Sequence, residues 1–276
     1  RDVTEDRMVS MMVGREIQNY YIKPNRKKGS KTVLEVCSLT RKGSFKDVSF
    51  HLMEGEILGV SGLVGAGRTE VMRAVFGADP IDGGECRLYG KVYKAKTPKD
   101  TIKMGMGLIP EDRRGQGLLL GKNVKENASL ASVYANSHKG FMDFEWEKRE
   151  ALNYIKRLRI KTSSEKTVTR NLSGGNQQKV VIAKWLMAKS RILIMDEPTR
   201  GIDVNAKAEI YTLMKEFVEN GGSIILVSSE LPEILGCSNR IMVMREGRVT
   251  GFLDESEATE ETVMQLASKG TSGEGE

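Results

Sequence analysis

Along the chain, short runs rich in Val, Ile, Leu and Phe predict β-strands at 33–37, 48–52 and 56–60. The third run leads into the glycine-bearing stretch SGLVGAGRT and then a helical pattern over 70–76, closed by Gly77 and Pro80. From about 113 to 170 strand-like runs vanish, and FEWEKREALNYIKRLRI has the spacing of an amphipathic helix with Trp146, Leu152, Ile155 and Leu158 on one broad face. Strand-like runs return at 192–195, 223–227, 241–244 and 249–253, with helical patterns between them. Strands alternating with helices predict a largely parallel sheet covered on both faces. Residues 1–30 are polar and end in KPNRKKGS, which suits a connecting segment, and the Gly/Glu-rich stretch 271–276 is expected to fray. No internal repeat is visible.

Composition narrows this picture only slightly. With 276 residues, 39% hydrophobic and 29% charged, the chain can bury a substantial core, which excludes a mostly disordered protein. The 43 basic against 37 acidic residues leave +6, a mild surplus that concentrates only at Arg26-Lys27-Lys28, beside Pro24 and Gly29. That cluster reads as a solvated connection, and no nucleic acid partner is expected. Cys37, Cys86 and Cys237 lie far apart and form no C-x-x-C pair, so neither zinc site nor disulfide framework is suggested and a reducing compartment fits best. No apolar run reaches the 18 residues of a membrane span, and RDVTEDRMVS lacks the architecture of a signal peptide. Work at a membrane would have to pass through a partner. A chain that begins with Arg is also expected to be part of something longer.

Three motifs carry chemistry. Gly62-Leu63-Val64-Gly65-Ala66-Gly67-Arg68-Thr69 has the spacing of a phosphate-binding (Walker A) loop, with Arg68 in place of the usual lysine. Its glycines let backbone N–H groups turn inward on an anion, the following helix adds its dipole, and Thr69 offers a hydroxyl to Mg²⁺. An ordinary glycine-rich strand-to-helix turn would read the same way. Second, 191–197 is an apolar strand ending in Asp196 and Glu197, which could hold Mg²⁺ through water and orient or deprotonate an attacking water. Two solvated acids at a strand end are the alternative. Third, Leu172-Ser173-Gly174-Gly175-Asn176 precedes the helical run KVVIAKWLMA.

In this order and company the motifs resemble the nucleotide-binding domain of ABC transporters, whose signature LSGGQ is matched at four positions, with Asn176 in the fifth. The segments Met12-Val-Gly-Arg-Glu16, PEDRRGQGL at 110–118, LSGGNQQKV at 172–180, DEPTRGIDV at 196–204 and SSELPEILG at 228–236 are similar to the second ATPase domain of tandem ATP-binding subunits in bacterial monosaccharide importers of the ribose/galactose/xylose type. The resemblance runs over nearly the whole chain. It implies an α/β fold, a P-loop NTPase core of ABC type with an antiparallel β portion from 31–60 and 84–93, plus a helical subdomain. The implied division is a linker from a preceding ATPase domain (1–30), a first core part with Walker A and Q-loop (31–112), the helical subdomain (113–170), a second core part with signature, Walker B and switch (171–254), and a C-terminal helix and tail (255–276). ATP and Mg²⁺ are the implied ligands, with residues 62–69 and Glu70 on the nucleotide and Thr69 and Asp196 on the metal. The implied partners are a first ATPase domain of the same polypeptide, membrane permease subunits and, indirectly, a periplasmic or extracellular sugar-binding protein. The implied location is the cytoplasmic face of the bacterial membrane.

Four positions depart from the general ABC pattern. Arg68 keeps the positive charge of the usual lysine but presents a bulkier planar fork. Glu111 stands at the Q-loop glutamine, adding negative charge near the γ-phosphate. Ser229 replaces the switch histidine and cannot carry a proton's charge at neutral pH. The stretch 38–45 has no aromatic where the family stacks adenine, Phe45 being the nearest candidate. Glu197, the general base, is retained. In a head-to-tail ABC dimer each site takes the signature of the opposite domain, so this chain's own site is expected to bind nucleotide and turn it over slowly, while Ser173–Gly175 complete the first domain's site. A soluble ABC ATPase without permease, or a purely structural or regulatory nucleotide-binding domain, are the competing readings.

Overall fold

The computed structural model describes residues 21, 23–24, 31–93, 97–138 and 141–268. The expectations for Met12–Glu16, for Arg26–Lys28 and for 271–276 lie outside them. In chain order come β1 (Thr32–Arg41), β2 (Phe45–Met53), β3 (Ile57–Ser61), α1 (Arg68–Phe76), β4 (Gly83–Leu88), β5 (Lys91–Tyr93), α2 (Pro98–Lys103) and β6 (Met106–Ile109). A π-helical turn (Arg113–Gly117), α3 (Val124–Ser129), β7 (Ser137–His138), β8 (Phe141–Met142) and α4 (Phe144–Arg157) follow. The remainder holds α5 (Gly174–Met187), β9 (Ile192–Asp196), α6 (Val204–Glu219), β10 (Ser223–Val227), α7 (Leu231–Cys237), β11 (Arg240–Arg245), β12 (Arg248–Asp254) and α8 (Glu260–Ser268).

The central sheet has the order β12-β11-β3-β10-β9-β6. Strands β11, β3, β10, β9 and β6 run parallel, and β12 closes one edge antiparallel to β11. Each of β3, β9 and β10 is buried at all five positions, which is why they read as unbroken apolar runs. A second sheet, β2-β1-β4-β5, is antiparallel throughout. In β2 the residues Phe45, Val48, Phe50 and Leu52 point to the core while their neighbours face out, the alternation of a half-buried strand. The antiparallel portion expected from 31–60 and 84–93 is therefore present but overdrawn at one end. Its last segment, β3, lies in the middle of the parallel sheet, because a strand buried on both faces pairs where both faces are covered.

A buried ion pair locks the two sheets together. Arg240 at the start of β11 donates to Glu56 at 3.0 Å and to the His51 carbonyl at 2.6 Å, and the Glu56 side chain is fully enclosed. Removing one partner of such a pair costs about 3–5 kcal/mol, since the other charge is left dry. Ahead of the core, the Pro24 carbonyl accepts from the Asn239 amide at 3.0 Å, and the Tyr21 ring packs on Tyr211 at 5.3 Å between centroids.

Helix α4 departs from its predicted face. Leu152 is exposed, while Glu147 and Ala151 turn inward with Leu158. The inward carboxylate is made tolerable by the Ser129 hydroxyl at 2.7 Å and the Lys125 ammonium. The segment 113–170 also holds the hairpin β7–β8, too short for an apolar alternation to reveal.

Candidate functional site

Strand β3 ends at Ser61 and α1 begins at Arg68, so the glycine loop is the turn between a buried strand and a helix N-terminus. Gly62, Gly65 and Gly67 all have positive φ (152°, 82° and 88°). At Gly62 a Cβ would meet the Met244 carbonyl oxygen at 2.3 Å, so no side chain fits there. Ala66 donates its N–H to the Leu63 carbonyl, and Gly247, in the turn between β11 and β12, donates to the Ala66 carbonyl, both at 3.0 Å. Leu63 and Val64 face solvent, and Ala66 is buried. Gly67 caps α1 with no side chain over the helix N-terminus, and Glu70 lies in the first turn. Such a terminus can offer backbone amides to an anion.

Asp196 ends β9 at the carboxyl edge of the sheet, 2% exposed. Thr69 lines the same cavity as Asp196, whose Oδ1 has no hydrogen-bond partner among the described residues. Burial raises its pKa above the ordinary aspartate value, against the pull of Thr69 and of the positive Arg68. A hydroxyl beside a buried carboxylate oxygen left unpaired is a donor set of the kind Mg²⁺ takes, and these residues fit that ion. Glu197 follows in a left-handed conformation, φ 46°, with its N–H bonded to the Val227 carbonyl at 2.9 Å. Non-glycine residues held in that region concentrate at functional sites. Burial raises the Glu197 pKa as well, while hydrogen bonding from Ser229 and the charge of Arg68 lower it.

Arg68 is turned onto these acids. Its Nη1 donates to the Ser228 carbonyl at 2.8 Å and its Nη2 lies 4.0 Å from Glu197 Oε1, both side chains being largely buried. Glu111 pairs with Arg200 at the surface and lines, with Thr69, Arg73, Leu108, Gln116 and Asp196, a cavity of about 230 Å³. The sequence-predicted Walker A, Walker B, Q-loop and switch residues thus meet at one place. Phe45 does not join them, for its ring is 3% exposed inside the core and has no open face for a base.

The signature stands apart. Leu172 is buried, and Ser173 caps α5 with its Oγ accepting from Asn176 Nδ2 at 2.8 Å. Asn176 Oδ1 in turn accepts from the Lys161 amide at 2.8 Å. At Gly175 a Cβ would lie 2.5 Å from that of Ala206, so glycine permits the close seating of α5 on α6. The first turn of α5 carries no acidic residue. Ser173, Gly175, Asn176 and Asp203 line a second cavity, about 110 Å³, which shares no residue with the first. What sequence reasoning missed is the π turn between them. Its residues have no helical or strand period, and only the isolated arginines of PEDRRGQG could have signalled it.

A central phosphate-loop sheet joined to an antiparallel sheet and a helical insertion, with these motifs at one edge, defines an ATP-binding cassette. The ABC transporter family model matches residues 45–200, and the chain belongs to that family. It is 53% identical over 265 residues to the ribose import ATP-binding protein RbsA of Bacillus subtilis, covering 96% of this chain and 54% of that protein. It is 48% identical over 269 residues to a Burkholderia cenocepacia protein whose provisional name covers ribose, galactose and methyl galactoside import, covering 97% and 52%. The chain therefore spans about half the length of the curated relatives it matches. Among solved structures, a nucleotide-free ATP-binding cassette of an ABC transporter superposes with a TM-score of 0.73 at 19% identity, covering 87% of this chain and 96% of that one. A dimeric post-hydrolysis cassette bound to ADP and phosphate superposes with a TM-score of 0.69 at 21% identity, covering 80% and 98%. These likenesses show the fold. Among the described residues no helix is long and apolar enough to cross a membrane.

Proposed function

We propose that this chain is the second ATP-binding domain of a tandem bacterial monosaccharide-importer subunit, coupling ATP binding and hydrolysis to transport. Residues 1–30 would connect it to a first ATPase domain, 31–112 and 171–254 form the core, 113–170 the helical subdomain, and 255–276 the closing helix and tail. It would sit peripherally on the cytoplasmic face of the membrane against permease subunits, with a sugar-binding protein acting from outside. The similarity to sugar-import proteins over nearly the whole chain supports the transport reading.

Within this reading the chain's own nucleotide site is slow. The observation that carries it is the engagement of Arg68, whose fork is committed to the Ser228 carbonyl and to Glu197. The amides of 62–69 would hold phosphates, and Thr69 and Asp196 would hold Mg²⁺. When bound, Mg²⁺ supplies positive charge to the phosphate oxygens. Glu197 would orient water; burial raises its pKa, and the charge of Arg68 close by offsets part of that rise. Ser229, too short and uncharged, supplies no cation. Ser173, Gly174 and Gly175 are free of these defects and would close on nucleotide held by the first domain. The same observation favours a second reading, a domain that completes its partner's site and performs no chemistry.

The deciding experiment is a nucleotide titration with and without Mg²⁺, followed by turnover measurements, on the wild-type chain and Arg68→Lys. Tighter binding and at least tenfold faster turnover in Arg68→Lys are expected. No change in either sinks this account of Arg68, and robust wild-type turnover that depends on Glu197 but needs no partner sinks the slow-site reading.

A further inference from the structure

The π turn Arg113–Gly117 joins α1, α5 and the loop that follows Glu197. Gln116 Oε1 accepts from Arg73 of α1 at 2.9 Å, and Gly117 offers its carbonyl to the buried Lys184 of α5 at 2.8 Å. Arg114 Nε donates to Gln177, also on α5, at 3.4 Å. Arg113 reaches the loop that follows Glu197, donating from Nη1 to the Arg200 carbonyl at 2.8 Å and from Nη2 to the Gly201 carbonyl at 3.4 Å. Its Nη2 also lies 2.8 Å from where a Cβ on Gly174 would sit, at the N-terminus of the signature helix. The clasp is reciprocal, because Arg200 in turn pairs with Glu111 just ahead of the turn.

Two features set this arginine apart from an ordinary surface contact. Among the described residues its Nε is buried without a hydrogen-bond partner and no carboxylate pairs with its guanidinium, so burial and the neighbouring Arg114 disfavour its charge. A charged side chain held at that cost against two carbonyls is retained for placement rather than stability.

We infer that Arg113 is a positioning residue that fixes the loop 198–203 and the N-terminus of α5 as one unit with the Q-loop segment. The inference rests on the proposed function only for its consequence, that this unit presents the signature to nucleotide held by a partner domain. The clasp itself is a property of this chain. It requires a planar fork that spans adjacent carbonyls, which lysine, a single ammonium, cannot supply.

Hydrogen exchange on the wild-type chain and Arg113→Lys tests the clasp at the Arg200 and Ile202 amides, bonded to Glu197 and Thr199. Exchange at least tenfold faster there is expected, with the amides of β3 and β10 unchanged. Unchanged exchange at Arg200 and Ile202 overturns the inference. In the full tandem polypeptide, Arg113→Lys is expected to lower kcat about tenfold with less than a twofold change in KM for ATP. Faster exchange with unaltered kcat overturns the positioning role. A wild-type tandem protein that hydrolyses no ATP would refute the proposed function instead, and the exchange measurement would still decide the clasp.

Discussion

The two halves of the site treat their charges in opposite ways. Around the glycine loop, the Arg68 fork is held by the Ser228 carbonyl and Glu197, so the cation that would meet a phosphate already has partners. Around the signature, Ser173 and Asn176 satisfy each other, the first turn of α5 carries no acid, and the carboxylates that line the adjoining cavity, Asp203 and Glu209, are engaged by the Ala206 amide and by Lys179. A site closed on itself must break contacts before it binds. One whose polar groups are satisfied without crossing its mouth can accept an anion directly.

The harshest test of that contrast damages each half of this chain's site in turn, within the proposed tandem polypeptide. Ser173→Arg, which fills the signature mouth, is expected to reduce total ATP hydrolysis about a hundredfold, the scale of losing preorganised electrostatic stabilisation. Glu197→Gln is expected to reduce it less than twofold, because on the proposed function the site it serves contributes little. Steady-state hydrolysis by the two variants decides it, and a larger loss from Glu197→Gln reverses the assignment of the working half.

How much of this contrast could be read beforehand depended on how local its causes are. The glycine loop and the strand ending in Asp196 were legible because a buried parallel strand is a continuous apolar run and its turn demands glycine. Strand β6 was not, since MGLI is four residues long and acquires its identity only by pairing with β9, some eighty positions away. The same holds for Leu152, displaced from the inward face by Glu147 once Lys125 and Ser129 are in place, and for Phe45, whose ring serves the core. The four departures from the family pattern were visible as residues. That Arg68 turns toward Glu197 and Ser228 was not, because side-chain direction depends on segments 160 residues on.

A smaller effect separates the halves by their response to pH. Asp196 has a folded pKa raised by burial, so the folded state holds its proton more tightly than the unfolded chain does. The associated stability is present below the ordinary aspartate range and is lost as pH rises through the folded value. Asp196→Asn is therefore expected to stabilise the nucleotide-free chain at pH 7.5 by about 1 kcal/mol, or about 2–4 °C in Tm. The gain should shrink on acidification toward pH 4 and be accompanied by loss of the Mg²⁺-dependent part of nucleotide binding. Thermal melts across that range check it, and a destabilised Asp196→Asn at neutral pH would show that the buried carboxylate is better compensated than its unpaired oxygen indicates.

The signature half carries a titrating group of opposite sign, with the smallest expected effect. Lys184 of α5 is buried with no carboxylate partner among the described residues, and burial lowers its pKa from 10.5 to about 8. The unfolded chain therefore binds this proton more tightly, so the folded state is penalised below pH 8 and relieved as pH climbs from about 8 toward 10.5. Either form of the amine can donate to Gly117, so the helix stays tied to the π turn while its charge changes. Stability measured by urea unfolding should rise between pH 8 and 9.5, before lysines elsewhere deprotonate, and that rise should be absent in Lys184→Met. A rise of equal size in Lys184→Met would place its origin elsewhere. A flat profile in the wild type would mean that water reaches Nζ, and the signature half would then lack the dry anchoring that distinguishes it from the loop of Arg68.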